Sequence, residues 1–279
     1  MAARILLKTA IFIALALPAT VLADYCSLDW VCLRPTDHDD GRADFLVENL
    51  REYPVTVSVR VRSRNLRADG PNPVTVTVPA NDSVVAMRMQ KVLPHRDTWY
   101  RYNFDWTVGD QDAVHDDSVV YRLPYPHGKR FGILQGYGSR FSHTGLEYYT
   151  VDFNMPEGSP VHAARGGVVA RVVEEHDIGC WEDGCGKYAN FIVVLHDDST
   201  TGEYYHLKKD GALVEPGERV KAGQLIGLSG NTGHTTLPHL HFGVYRAASW
   251  GSTQSIPVRF QTTGGIVTNP RRGRGYLAK

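Results

Sequence analysis

Val55-Thr56-Val57-Ser58-Val59-Arg60-Val61-Arg62 alternates apolar and polar residues with little interruption. Side chains on a strand point to opposite faces in turn, so this spacing predicts a half-buried strand. Val74-Thr75-Val76-Thr77-Val78 repeats the pattern, and Ser83 to Met89 and Trp99 to Val108 are further strand candidates. Turn-forming clusters separate them: Asp69-Gly70-Pro71-Asn72-Pro73, Pro79-Ala80-Asn81-Asp82 and Gly109-Asp110. About six or seven short strands in roughly 100 residues predict an immunoglobulin-like β-sandwich over residues 24–123. This half shows no constellation of catalytic side chains.

Leu123-Pro124-Tyr125-Pro126-His127-Gly128 reads as a boundary, because two prolines and a glycine disfavour regular structure. Beyond it, strand candidates are Gly167 to Val173, Phe191 to His196, Glu203 to Leu207, Gln224 to Leu228 and His239 to Tyr245. The spacers are turn-like and no long amphipathic helix stands out. Residues 124–262 are therefore expected to form a second, mainly antiparallel β domain. The tail 263–279, with Arg271-Arg272-Gly273-Arg274-Gly275, is expected to be basic and flexible.

The 279 residues balance 30 Lys plus Arg against 30 Asp plus Glu. That balance lacks the clustered basic footprint of a nucleic-acid binder. The N-terminus starts positive at Arg4 and Lys8, runs apolar from Thr9 to Leu17 and breaks at Pro18. Val21-Leu22-Ala23 then offers a cleavage site, so residues 1–23 read as a secretory signal peptide. A membrane anchor is the alternative, but spanning a bilayer takes roughly 20 apolar residues. The protein is thus expected to be exported, periplasmic or secreted, with no membrane span after cleavage. In an oxidising compartment its four cysteines favour disulfides. Cys26–Cys32 and Cys180–Cys185 are the simplest pairs, with two other pairings open.

His239-Leu240-His241 sits in a strand-like stretch, so both imidazoles project to one face while Leu240 and Phe242 face the core. Paired imidazoles suit a metal. Alone the motif is weak, since chance supplies about half an HxH in a chain this rich in histidine. Other candidates precede it: Phe141-Ser142-His143-Thr144-Gly145, Thr150-Val151-Asp152-Phe153 and Tyr204-Tyr205-His206-Leu207. Neither a phosphate loop nor a nucleophile elbow occurs at Ser229-Gly230-Asn231-Thr232-Gly233.

Together these segments resemble the lysostaphin or LytM type of zinc metallopeptidase. The resemblance covers roughly Phe131 to Tyr245. It includes Asp152-Phe153, the run Met155 to Val169, Tyr204 to Leu207, Val214 to Gly233 and Pro238 to Val244. It implies one Zn2+ per chain, held by His143, Asp152 and His241, with His206 and His239 as catalytic histidines. Thr144 to Val151 makes the first spacer longer than in the compact motif, which leaves His127 as an alternative to His143. Three protein ligands leave one zinc position for a water nucleophile. Without an HExxH motif, histidine is the natural base. His239 is assigned that role, and His206 is to orient the water or steady the oxyanion, with the two roles exchangeable. The implied function is an exported endopeptidase cutting peptide cross-links or bridges of peptidoglycan. A non-catalytic wall-binding or amidase-activating module is the alternative, and a secreted peptidase for a foreign protein is a third. A regulatory protein partner is left open.

Overall fold

The computed structural model describes residues 25–279. The segment read as a signal peptide, residues 1–23, lies outside the described residues. Among the described residues the chain is nearly all strand, with short 3-10 turns at Gly145–Glu147 and Cys185–Tyr188. No helix among them is long and apolar enough to cross a membrane.

The first strands are β1 (Tyr25–Ser27), β2 (Val31–Asp37), β3 (Ala43–Asn49), β4 (Val55–Arg64), β5 (Leu66–Ala68), β6 (Val74–Val78), β7 (Ser83–Lys91) and β8 (Trp99–Val108). One sheet runs β1-β2-β3-β7-β5 and a second β6-β4-β8. Val55, Val57, Val59 and Val61 of β4 share a buried core with Leu33, Phe45, Val47, Met87 and Met89 of the other sheet. Each such side chain contributes about 1.5–3 kcal/mol on burial. Cys26 and Cys32 lie opposite each other in the β1–β2 ladder and form a disulfide.

The polar face of β4 departs from the half-buried pattern. Thr56 and Ser58 are buried as well. Thr56 Oγ1 donates to the Gly109 carbonyl at 3.0 Å, and Ser58 Oγ accepts from the Trp250 amide at 2.9 Å. Buried hydroxyls keep partners, and here Thr75 and Thr77 of β6 add to those supplied from outside the sheet, with Ser58 Oγ 2.8 Å from Thr75 Oγ1. The C-terminal half meets the N-terminal one again where the Tyr53 hydroxyl donates to the Ala170 carbonyl at 2.7 Å. Tyr53, Val108, Ala170, Val193 and Leu195 form a small shared apolar cluster there.

The remaining strands are β9 (Val120–Arg122), β10 (Arg130–Gln135), β11 (Val151–Phe153), β12 (Pro160–His162), β13 (Gly167–Val173) and β14 (Gly179–Cys180). Next come β15 (Phe191–Leu195), β16 (Thr201–Tyr205), β17 (Leu207–Ala212), β18 (Arg219–Val220), β19 (Leu225–Ser229) and β20 (Gly233–His234). Last are β21 (Leu240–Ala247), β22 (Thr253–Ser255), β23 (Arg259–Thr262), β24 (Gly265–Val267) and β25 (Gly275–Leu277). The large sheet is antiparallel and ordered β18-β13-β15-β16-β21-β11-β10-β25, with β22 beside β21. Ile192, Tyr204, Phe242 and Val151 are register partners across β15, β16, β21 and β11, and all are buried. The next row along, Tyr205, His241, Asp152 and Gln135, points to the opposite face.

Two stretches sit differently from their sequence reading. Val120–Arg122, expected within the sandwich, pairs in parallel with β23, and Tyr121 and Leu123 join the C-terminal core. Residues 263–279, expected as a flexible tail, contain β25, which adds to the edge of β10. The Gly273 amide donates to the Ile133 carbonyl at 2.9 Å, and the Ile133 amide to the Arg274 carbonyl at 2.9 Å. Backbone groups pair whatever the side chains are, so a basic, glycine-rich composition did not reveal this strand.

Candidate metal centre

Asp152 and His241 are cross-strand partners on β11 and β21. Partners directly opposite present side chains to one face, and here His241 Nδ1 lies 2.8 Å from Asp152 Oδ1. His143 arrives from the loop between β10 and β11 and is wholly buried. Its Nε2 lies 3.1 Å from the same Oδ1. His239 precedes β21, and its Nε2 is 3.7 Å from that oxygen. His206 follows β16 with φ of 64°, in the left-handed region that a non-glycine residue adopts at a cost. This kink sends Leu207 into the core and leaves the His206 ring 4.6 Å from that of His239.

Each histidine has one ring nitrogen tied to an outer acceptor. His143 Nδ1 faces the Gly136 carbonyl at 3.2 Å, His206 Nδ1 the Thr232 carbonyl at 2.7 Å and His239 Nδ1 the Leu237 carbonyl at 2.8 Å. His241 Nε2 faces the Tyr245 hydroxyl at 3.2 Å. A carbonyl can only accept, so the hydrogen sits on Nδ1 of His143, His206 and His239. Their Nε2 lone pairs are left for the site. Gln135 Nε2 donates to Asp152 Oδ2 at 2.6 Å and so turns Oδ1 toward the histidines.

His143, Asp152 and His241 each offer a ligand atom, and these lie within 4.8 Å of one another. His143 Nε2 is buried and, despite its closeness to Asp152, makes no aligned hydrogen bond. A lone pair without a donor, beside a carboxylate and a second imidazole, fits a divalent cation. A second group, Cys180, Glu182 and Cys185, offers no thiolate because its cysteines form a disulfide. His127, the alternative to His143, is exposed and outside the group.

Charge in the site is strongly perturbed. Burial works against a charged Asp152, yet the close imidazoles of His143 and His241, with His239 behind them, hold its carboxyl well below the usual range. Burial also opposes a charged His241, but Asp152 and Glu147 outweigh it and push its value up to about 10. His206 is driven the other way, down to about 3, by burial and by His239 and His241. Burial lowers His239 too.

Above these residues opens a cavity of about 630 Å³, lined by Asp152, His206, His239 and His241. Phe141 and Trp181 also line it, stacked at 5.0 Å, and Trp181 lies 4.2 Å from the His234 ring. The Cys180–Cys185 disulfide closes the loop that carries Trp181. Arg272, from the segment read as a tail, is another lining residue. His162, His176 and His196 lie outside the cavity lining. Gln135, Tyr245 and Glu147 were missed by sequence reasoning. Only the period-two spacing from His241 to Tyr245 carried a signal for any of them.

The model of Peptidase family M23 matches residues 147–254. The chain carries an M23 peptidase domain. That span includes Asp152, His206, His239 and His241 and begins after His143, so His143 rests on geometry. Peptidoglycan DD-endopeptidase ShyA of Vibrio cholerae is 34% identical over 122 residues, 42% of this chain and 26% of the relative. Glycyl-glycine endopeptidase ALE-1 of Staphylococcus capitis is 37% identical over 126 residues, 45% of this chain and 32% of the relative. The solved catalytic domain of lysostaphin from Staphylococcus simulans is 31% identical, with 46% of this chain and 87% of that one covered and a TM-score of 0.32. The match to this M23 domain thus spans about a third or less of the two curated relatives' length.

Proposed function

We propose that the chain is an exported zinc endopeptidase that hydrolyses peptide cross-links or bridges of peptidoglycan. The observation that carries this reading is the meeting of His143, Asp152 and His241, where Asp152 and His241 line one cavity with His206 and His239 and all four lie in the span that matches family M23. Two imidazoles and a carboxylate suit Zn2+, one per chain. When bound, zinc polarises the scissile carbonyl and acidifies a water molecule. The sandwich of β1 to β8 and the peptidase unit from β9 on would then be accessory and catalytic domains. The two disulfides suit an oxidising compartment, which supports export.

The chain's own residues divide the work as follows. His239, with its Nε2 free and Asp152 3.7 Å away, takes the proton of the attacking water. It then returns that proton to the leaving amine, as a general base turned acid. His206 also presents an unprotonated Nε2, so in the resting state it accepts a hydrogen from water and orients it. Steadying the oxyanion would require His206 to carry a second proton, which its burial opposes. Phe141 and Trp181 form an apolar wall along which an extended peptide can lie, and Arg272 offers an anionic peptide a counter-charge.

The names of the relatives divide between a DD-endopeptidase and a glycyl-glycine endopeptidase. Mass spectrometry of defined cross-linked muropeptides and glycine-bridged peptides, with and without a chelator, tests the reading. Chelator-sensitive cleavage of either substrate is the expected result. Zinc-loaded protein that cleaves neither but raises amidase activity on mixing would instead mark a non-catalytic activator. Cleavage of foreign protein alone would replace the substrate class.

A further inference from the structure

The long spacer between His143 and Asp152 carries a group that reaches back to the third ligand. Glu147 sits at the end of the 3-10 turn Gly145–Glu147. Its Oε2 accepts a hydrogen bond from the Tyr245 hydroxyl at 2.7 Å. The same hydroxyl lies 3.2 Å from His241 Nε2. Tyr245 therefore accepts from the His241 N–H and donates to Glu147. Direct contact between Glu147 Oε2 and His241 Nε2 is longer, 3.6 Å, so the hydroxyl bridges them.

The sequence around the ligand is built for this bridge. His241, Gly243 and Tyr245 share one face of β21. A Cβ at Gly243 would lie 2.6 Å from the Tyr245 ring. Glycine thus lets the phenol fold back along the strand toward His241. The spacer is anchored on its own account. The Tyr149 amide donates to Ser255 Oγ at 2.9 Å, Thr150 Oγ1 to the Glu147 carbonyl at 2.7 Å, and the Gly138 amide to the Tyr148 carbonyl at 2.8 Å. These bonds fix Glu147 at the outer side of the His241 ring.

We propose that Glu147, acting through Tyr245, is a positioning residue that holds His241 with its Nε2 protonated and its Nδ1 turned to the metal. Metal-bound histidines commonly give their second N–H to such an outer acceptor, which fixes the tautomer and strengthens the ligand. The inference rests on the metal assignment proposed above and is independent of the substrate.

Zinc affinity, measured by competition with a chromophoric chelator, tests it directly. Glu147→Ala and Tyr245→Phe are each expected to bind zinc about 10-fold or more weakly than the parent, within the range usual for outer partners. Glu147→Gln keeps an acceptor and is expected to lose less than Glu147→Ala. Nitrogen-15 NMR of the imidazoles in the zinc-loaded parent should show a protonated, hydrogen-bonded Nε2 on His241. That slowly exchanging proton should be lost in Tyr245→Phe. A merely structural Glu147 would change stability without moving this signal. Zinc affinity within twofold of the parent in folded Glu147→Ala and Tyr245→Phe would overturn the proposal, as would an unprotonated His241 Nε2. Should Glu147→Ala fail to fold, Tyr245→Phe alone decides. A parent that binds zinc but cleaves no muropeptide would sink the substrate reading and leave this one standing. A parent that binds no zinc would sink both.

Discussion

Asp152 and His241 face each other across a ladder whose register is fixed by β16 on one side and β10 on the other. His143 instead hangs from the loop between β10 and β11, held by burial and by the Gly136 carbonyl. The sheet-borne pair is placed by backbone pairing and needs little help. The loop-borne ligand depends on local anchors. This division explains why the spacer before Asp152 can be long without spoiling the site. The loop must only return the chain to β11, and along the way it supplies Glu147 to the back of His241.

The largest expected effects fall on the residues beside the metal group. His239→Ala and His206→Ala should each lower the cleavage rate by about 10²- to 10⁴-fold, the usual worth of a positioned acid or base. Single-turnover rates on zinc-saturated protein check this. A loss under tenfold in both would move the proton transfer elsewhere. Next comes the sheet-borne half. Gln135→Leu removes the donor that orients Asp152 and should weaken zinc binding by about 10-fold, readable by chelator competition, with the fold intact by circular dichroism. An unchanged affinity would mean that strand register alone holds Asp152.

Smaller effects are expected in the loops. Replacing Cys180 and Cys185 together by serine should cost about 2 kcal/mol, at the low end for a disulfide because the loop is short. Denaturant unfolding measures it. Because Trp181 lies within that loop, KM should rise more than kcat falls. The smallest effect concerns acid. Burial opposes a charged Asp198, but Thr200 and Arg165 hold it below the usual carboxylate value, the latter through a 2.6 Å ion pair. A depressed value in the folded protein stabilises above the unfolded value of about 3.9 and is lost as pH falls through and below it. Asp198→Asn should therefore destabilise at pH 7 and approach the parent below pH of about 4. A constant difference across that range would contradict the assignment.

Much of this architecture was legible in the residues themselves. Val55 to Arg62 announced β4, and His239 to Tyr245 announced β21 and the shared face of its histidines. Local periodicity suffices there because strand alternation is a property of the single segment. Gln135 and Glu147 were not legible, since their roles depend on which distant strand or loop comes to lie beside Asp152 and His241. Thr56 and Ser58 looked solvent-facing because the residues that cover them come from elsewhere in the chain. The order of the basic segment ending in β25 is not legible in its residues, because it comes from backbone pairing with β10 and not from its side chains.

His143, Asp152 and His241 are proposed to hold one metal ion while His206 and His239 do chemistry beside it. Zinc content per chain after gel filtration, compared across the five alanine variants, tests it most directly. About one zinc is expected in the parent, in His206→Ala and in His239→Ala, and a large loss in His143→Ala, Asp152→Ala and His241→Ala. Equal loss across all five, or full retention in His143→Ala, would contradict it.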